Sequence, residues 1–336
     1  MTSDPRAGPG ERGEDPRALA LPSAAEVAAA RERIRGSALR TPLVKLNAGV
    51  AGASVFLKLE NLQPLGSFKI RPAVNALESM DRERLRRGVL TASAGNFGQG
   101  LAFAARRAGV HATAVVPDAA AVTKVNALTE LGATVIRLPF DAWWTALTTR
   151  AVPGEEGVFI HPVSEQAVIA GNATIGLEIL EELPDCDAVI VPFGGGGLVS
   201  GIGSVMRRLR PRVRMIIVES EAACPAAAAL EHGRPVVVPH LQSFVDGMGS
   251  RTVLAEMWPL VRAVADAAVS VSFVQIVEAI RLLALRHRII AEAAGAASVA
   301  AALAGLAGQG NIVCIVSGGN IDATKLAPIL TDQNPF

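Results

Sequence analysis

Along the chain, apolar positions switch between two periods. Short runs of mostly aliphatic residues, Val55–Leu59, Val89–Ala92, Ala112–Val116, Thr134–Leu138, Ala188–Pro192, Met215–Glu219 and Asn311–Val316, are each followed by a stretch with helical spacing. Apolar runs of this length suit strands buried on both faces, and their alternation with helices predicts an α/β fold built on mostly parallel sheet. Ser23-Ala24-Ala25-Glu26 has the spacing of a capping box, which predicts a helix from there to about Ile34. From Ala293 to Ile321 the chain carries no charge, but it is rich in Ala and Gly and interrupted by Gln309-Gly310-Asn311. That pattern predicts a buried small-residue helix followed by a strand, not a membrane span.

Composition narrows the function classes. Half of the 336 residues are hydrophobic and 19% are charged, which excludes wholesale disorder. With 32 basic and 31 acidic side chains the net charge is +1, so no field steers the protein to nucleic acid or an anionic membrane. Cys186, Cys224 and Cys314 are scattered and form no CxxC, which fits a reducing, cytoplasmic setting. Residues 1–21 are rich in Pro, Gly and charge and lack the apolar segment of a secretory signal; a disordered tail is expected. The basic residues comprise 27 Arg and only five Lys: Lys45, Lys58, Lys69, Lys124 and Lys325. If a lysine does chemistry, the choice is among those five.

Four segments sit where strands run into helices, the usual place for ligands in open parallel sheets. Pro192-Phe193-Gly194-Gly195-Gly196-Gly197-Leu198 follows an apolar strand, and its glycines let backbone N–H groups approach an anion at a helix start. The spacing matches neither G-x-G-x-x-G nor a P-loop. Ser67-Phe68-Lys69-Ile70-Arg71 puts a lysine near the start of an apolar helix, where burial and the helix end favour a neutral amine. Ser93-Ala94-Gly95-Asn96-Phe97-Gly98 offers backbone donors for a carboxylate and a side-chain amide for a phenolic or alkoxide oxygen. Ser317-Gly318-Gly319-Asn320 ends the last strand with a hydroxyl. Taken singly, these also read as a flexible turn, a surface lysine, an Asn/Gly turn and a capping serine.

Together, and in this order, they resemble the serine/threonine dehydratase group of fold-type II pyridoxal-phosphate enzymes, which includes serine racemases. The similarity runs from about Ser23 to Asp322. It implies two open, mostly parallel sheets flanked by helices, with residues 22–87 and 165–336 forming a large cofactor-binding domain and 88–164 a small substrate-side domain. It implies pyridoxal 5'-phosphate linked to Lys69 as a Schiff base, beside Phe68. Asn96 would meet the ring hydroxyl, Gly194, Gly195, Gly196, Gly197 and Leu198 the phosphate, and Ser317 the pyridine nitrogen. The backbone of Ser93, Ala94, Gly95 and Asn96 is expected to take the carboxylate of a small amino-acid substrate. Glu292 matches an acidic position near the site. A homodimer is expected from the family.

The implied reaction is elimination of a β-hydroxyl from L-threonine or L-serine, giving a 2-oxo acid and ammonia. Racemases of the group use a second acid/base two residues before the motif Asn, where this chain has Ala94, and a methyl group transfers no proton. Phe97 stands where many relatives have His, and Val163 where a polar residue often flanks the ring; with Trp143 and Trp144 these residues suggest a bulkier substrate such as phenylserine. β-Replacement is a further alternative on the same cofactor, and a non-catalytic relative is disfavoured by the intact motifs. Glu219 matches one carboxylate of a divalent-cation pattern found in some relatives, but the partner position falls near Pro225, so no metal is expected. Because the chain ends at Phe336, no C-terminal effector domain is expected.

Overall fold

The computed structural model describes residues 19–331. The expected disordered tail lies mostly outside them; of its last residues, Leu19 and Leu21 pack against the core and Ala20 N–H donates to Gln166 Oε1. The strands are β1 (Leu43–Lys45), β2 (Ala53–Lys58), β3 (Val89–Ala92), β4 (Ala112–Pro117), β5 (Thr134–Leu138), β6 (Val158–Phe159), β7 (Ala188–Pro192), β8 (Arg214–Ser220), β9 (Ala267–Val271) and β10 (Gly310–Ile315). They form a six-stranded sheet in the order β1-β2-β10-β7-β8-β9 and a four-stranded sheet in the order β5-β4-β3-β6. Only β1 runs antiparallel to its neighbour. All seven apolar runs named above become strands; β1, β6 and β9 escape notice because they are sheet edges, short or half-exposed.

Both faces of the large sheet are covered, and the alternation along each strand shows how. Ile190, Ile216 and Cys314 face one core, shared with the helices Phe273–Leu282 and Ala293–Leu303. Their neighbours Val189, Val191, Ile217 and Ile315 face the other, shared with the helices Gln166–Glu182 and Gly197–Leu209. The small sheet rests Val89, Ala114 and Val116 on the helices Ile70–Glu78 and Asn96–Ala108, and turns Leu90 and Val115 to the helix Phe140–Thr149. At roughly 1.5–3 kcal/mol per fully buried aliphatic side chain, such double burial is the main support of the fold. Ser23 Oγ accepts from Glu26 N–H while the Glu26 carboxylate takes Ser23 N–H, the reciprocal cap expected for the helix Ala24–Arg33. The uncharged segment becomes the buried helix Ala293–Leu303 followed by β10, and among the described residues no helix is long and apolar enough to cross a membrane.

Candidate active site

The carboxyl ends of β2, β3, β7 and β10 supply one cavity of about 220 Å³, and the four motif segments meet in it. Phe68, Lys69, Ser93, Gly95, Asn96, Phe97, Gly194 to Leu198, Glu292 and Ser317 all line it. Ala94, expected beside them, does not; it packs against the core under the small sheet. Pro192 and Val163, both named from the sequence, line it as well, and the chain supplies further lining that was not flagged, namely Pro162, Gly247 and Ala294.

Lys69 occupies the cap position of the helix Ile70–Glu78. Its Nζ donates to Pro162 O at 3.1 Å and lies 5.0 Å from the Phe68 ring centre and 5.5 Å from that of Phe97. Loss of hydration lowers its pKa to about 8, against the partly opposing field of Glu292. A substantial neutral fraction is therefore present near neutral pH, as a nucleophilic amine requires.

Asn96 opens the helix Asn96–Ala108 and is held at both ends of its amide. Nδ2 donates to Glu292 Oε1 at 2.9 Å, and Oδ1 accepts from Asn320 Nδ2 at 2.8 Å. Burial raises the pKa of Glu292 to about 8, with the Asn96 hydrogen bond opposing and Asp246 adding to the rise. Ser317 is fixed by its backbone, since its carbonyl accepts from Phe68 N–H at 3.0 Å.

The glycine tetrad lies between β7 and the helix Gly197–Leu209. Gly196 has φ +94°, and a Cβ there would stand 2.7 Å from Val261 Cγ2; one on Gly195 would stand 2.8 Å from Val163. The loop is therefore closed to any side chain and presents backbone alone. The earliest backbone hydrogen bond within it is Ser200 N–H to Gly196 O, so the first-turn N–H groups are left for a ligand. Gly194 O is tethered by Ser250 Oγ at 2.6 Å. A cradle of free N–H groups at a helix start, beside a low-pKa amine, fits a phosphate-bearing aldehyde cofactor.

Other expectations are placed differently. Phe97 and Val163 face the cavity, but Trp143 packs against the outer face of the small sheet and Trp144 is exposed; neither lines the site. Glu219 is buried, and its two carboxylate oxygens accept from Ala226 and Ala227 N–H at 2.8 and 2.9 Å. Burial raises its pKa to about 7. It caps the helix Pro225–His232, and no group of three or more His, Cys, Asp or Glu poised for a metal occurs among the described residues. The contributions of Gly247 and Ser250 were not visible beforehand because they come from the irregular stretch between residues 233 and 257, where no period exists to read. The run Asp246-Gly247-Met248-Gly249-Ser250 was the available signal.

Two parallel-rich sheets joined at a lysine, a glycine cradle and an asparagine define an enzyme site for pyridoxal phosphate. Residues 34–318 match the family of pyridoxal-phosphate-dependent enzymes, and the chain belongs to that family. It is 38% identical over 305 residues to an L-threonine ammonia-lyase of Geobacter sulfurreducens, covering 89% of this chain and 76% of that one. It is 41% identical over 285 residues to an L-threonine ammonia-lyase of Thermotoga maritima, covering 84% and 71%. Among solved structures, maize serine racemase superposes with a TM-score of 0.85 at 30% identity, covering 94% of this chain and 98% of that one. The processed form of threonine deaminase isoform 2 from Solanum lycopersicum gives 0.82 at 31% identity, covering 91% and 87%.

Proposed function

We propose that this protein is a pyridoxal-phosphate-dependent ammonia-lyase that removes the β-hydroxyl of L-threonine or L-serine and releases a 2-oxo acid and ammonia. The observation that carries this reading is the convergence of Lys69, Asn96, the glycine tetrad and Ser317 on one cavity. Lys69 Nζ would hold the cofactor through its aldehyde, Gly194 to Leu198 its phosphate, Asn96 its ring oxygen and Ser317 its ring nitrogen. When bound, the cofactor serves as an electron sink for the substrate Cα. The Lys69 amine, when free, would take the proton from the substrate Cα; its pKa of about 8 suits it both to accept and to return a proton near neutral pH. The backbone of Ser93 to Asn96 binds the substrate carboxylate.

Small substrates suit the space. A cavity of about 220 Å³ must admit cofactor and substrate together, below the roughly 300–1,000 Å³ of drug-sized ligand sites. With Trp143 and Trp144 outside it, only Phe97 and Val163 still speak for phenylserine. Ala94 supplies no proton donor, which weighs against racemisation. In the same reading the enzyme works in the cytoplasm, supported by three unpaired cysteines. It works as a homodimer, supported by the exposed Leu285, Ile290, Leu303 and Leu306.

The test is a 2-oxo-acid and ammonia assay with L-threonine, L-serine, D-serine and L-threo-phenylserine, with Lys69→Ala as control. Turnover of L-threonine or L-serine by the parent alone is expected. Silence on every substrate, or activity surviving in the control, overturns the reading.

A further inference from the structure

A buried ionic cluster stands directly behind Lys69 and has no part in the chemistry above. Arg71, two residues on, is wholly buried, as are Lys58 and Glu60, and Glu178 is 7% exposed. The Arg71 guanidinium forks onto both carboxylates. Nε and Nη2 donate to Glu60 Oε2 and Oε1, each at 2.8 Å, while Nη1 and Nη2 donate to Glu178 Oε1 and Oε2 at 2.6 and 2.8 Å. The second Nη1 hydrogen goes to Thr174 Oγ1 at 3.3 Å, and Nη2 also lies 2.9 Å from Leu39 O, its two hydrogens shared among three acceptors. Lys58 Nζ completes the balance of charge, 2.7 Å from Glu178 Oε2 and 2.6 Å from Thr41 O.

The backbone at Lys69 is held in two further ways. The helix Ile70–Glu78 has no side-chain hydrogen bond from its cap residue, and Lys69 N–H reaches Ser67 Oγ only at 3.4 Å, so local side chains do little to set the direction of the chain. Instead, two neighbouring helices press on it through glycines. A Cβ on Gly100 would lie 2.8 Å from Lys69 O, and one on Gly171 would lie 2.6 Å from Pro72 Cα and 2.9 Å from Arg71 O. Residues 69–72 are thus held by close approach on two sides, and the Arg71 fork anchors them to the end of β2 and the helix Gln166–Glu182.

Such a cluster is a poor source of stability, because packed apolar groups of the same volume often serve as well or better. A planar guanidinium offers direction: it satisfies two carboxylates only in one orientation, which an ammonium in the same place does not impose. We propose that Arg71, with Glu60 and Glu178, is a positioning residue that sets the backbone at Lys69 and so aims its Nζ into the cofactor cavity. This rests on Lys69 being the lysine that carries the cofactor.

The test compares the parent with Arg71→Lys, which keeps the charge and loses the fork, and with Thr174→Val, which removes one hydrogen bond and leaves the charges intact. Amide exchange is followed first in the cofactor-free protein. Residues 68–74 are expected to exchange roughly tenfold faster in Arg71→Lys, with a smaller change in Thr174→Val, while the helix Ala293–Leu303 is unaffected. In the full enzyme, kcat is expected to fall by roughly 10–100-fold with KM nearly constant, and the pH midpoint of the cofactor's absorbance band to move. A lowered melting temperature with local exchange, pH midpoint and kcat all unchanged would overturn the proposal and leave the cluster a merely structural one. Should Arg71→Lys fail to fold, Glu60→Gln, which keeps the side-chain volume and removes one of the two carboxylates the fork satisfies, decides by the same readouts, and parent-like values in it likewise overturn the proposal. Because the exchange measurement uses protein without cofactor, a wrong assignment of Lys69 shows separately, as activity persisting in Lys69→Ala.

Discussion

Two lysines close in sequence, Lys58 wholly buried and Lys69 half-buried at the cavity wall, end in opposite company. Lys58 Nζ meets the carboxylates of Glu178 and Glu182 and the carbonyl of Thr41. Lys69 Nζ meets one carbonyl and two aromatic rings, and no carboxylate lies within ion-pair range among the described residues. The first is a cation fully compensated by its surroundings and so chemically quiet. The second has lost much of its hydration and has only the partly opposing field of Glu292 in place of a paired counter-ion, which favours its neutral form and leaves the nitrogen lone pair available. The same side chain is made into a brace or a nucleophile by what its last atom touches.

The largest effect expected from breaking this contrast is on Lys69→Ala, which should lower turnover by at least about a thousandfold while melting within a few degrees of the parent, measured by steady-state assay and calorimetry. Lys58→Met should do the reverse. Leaving Glu178 without one of its cations is expected to cost about 3–5 kcal/mol in denaturant unfolding, while the fraction still folded keeps its kcat. If Lys58→Met instead loses activity at parent stability, the division of labour between the two lysines is wrong.

A third expectation uses pH. In the cofactor-free protein, acylation of Lys69 by a limiting reagent, followed by peptide mass, should rise with pH through a midpoint of about 8, below the ordinary lysine range. Acylation of Lys58 should stay negligible until the protein unfolds. Glu292 gives a related, smaller effect with its own sign. Its folded-state pKa of about 8 lies above the ordinary 4.5, so the stability it contributes is fully present below pH 4.5 and is lost as pH rises through 8. Glu292→Gln should therefore flatten the decline in melting temperature between pH 5 and pH 8 in the cofactor-free protein, where the parent falls; an identical slope in both would contradict the burial of this carboxyl. The smallest change is expected at Trp144→Ala. This exposed ring lies outside the cavity, so stability should shift by no more than about 0.5 kcal/mol, with substrate preference unaltered.

The contrast between the lysines also marks how far the chain could be read without its structure. The strands that are buried on both faces announced themselves as apolar runs, and three of the four motif segments fall at a strand end in the observed fold, while the one bearing Lys69 lies beyond the short 3-10 turn Glu60–Leu62 that follows β2. Lys69 stood out through its neighbours in sequence, the Ser67-Phe68 pair before it and an apolar helix after it. Lys58 did not, because the groups that neutralise it come from the distant helix Gln166–Glu182, and no local pattern distinguishes a charge destined for burial from one left in water. Pro162, Gly247 and Ser250 were silent for a similar reason: they contribute through irregular backbone, whose course depends on packing and not on periodicity. Trp143 and Trp144 misled in the other direction. Their bulk suggested a substrate wall, whereas the helix Phe140–Thr149 sets Trp143 on the outer face of the small sheet and leaves Trp144 exposed.

Everything proposed for the site turns on Lys69, and not another of the five lysines, bearing the cofactor. Borohydride reduction of the holoenzyme followed by peptide mass spectrometry reads this out without a substrate. The reduced phosphopyridoxyl mass is expected on the peptide containing Ser67-Phe68-Lys69 and on no other. Recovery of that mass on a peptide containing Lys45, Lys58, Lys124 or Lys325, or its absence from every lysine of a protein that retains activity, would refute the assignment.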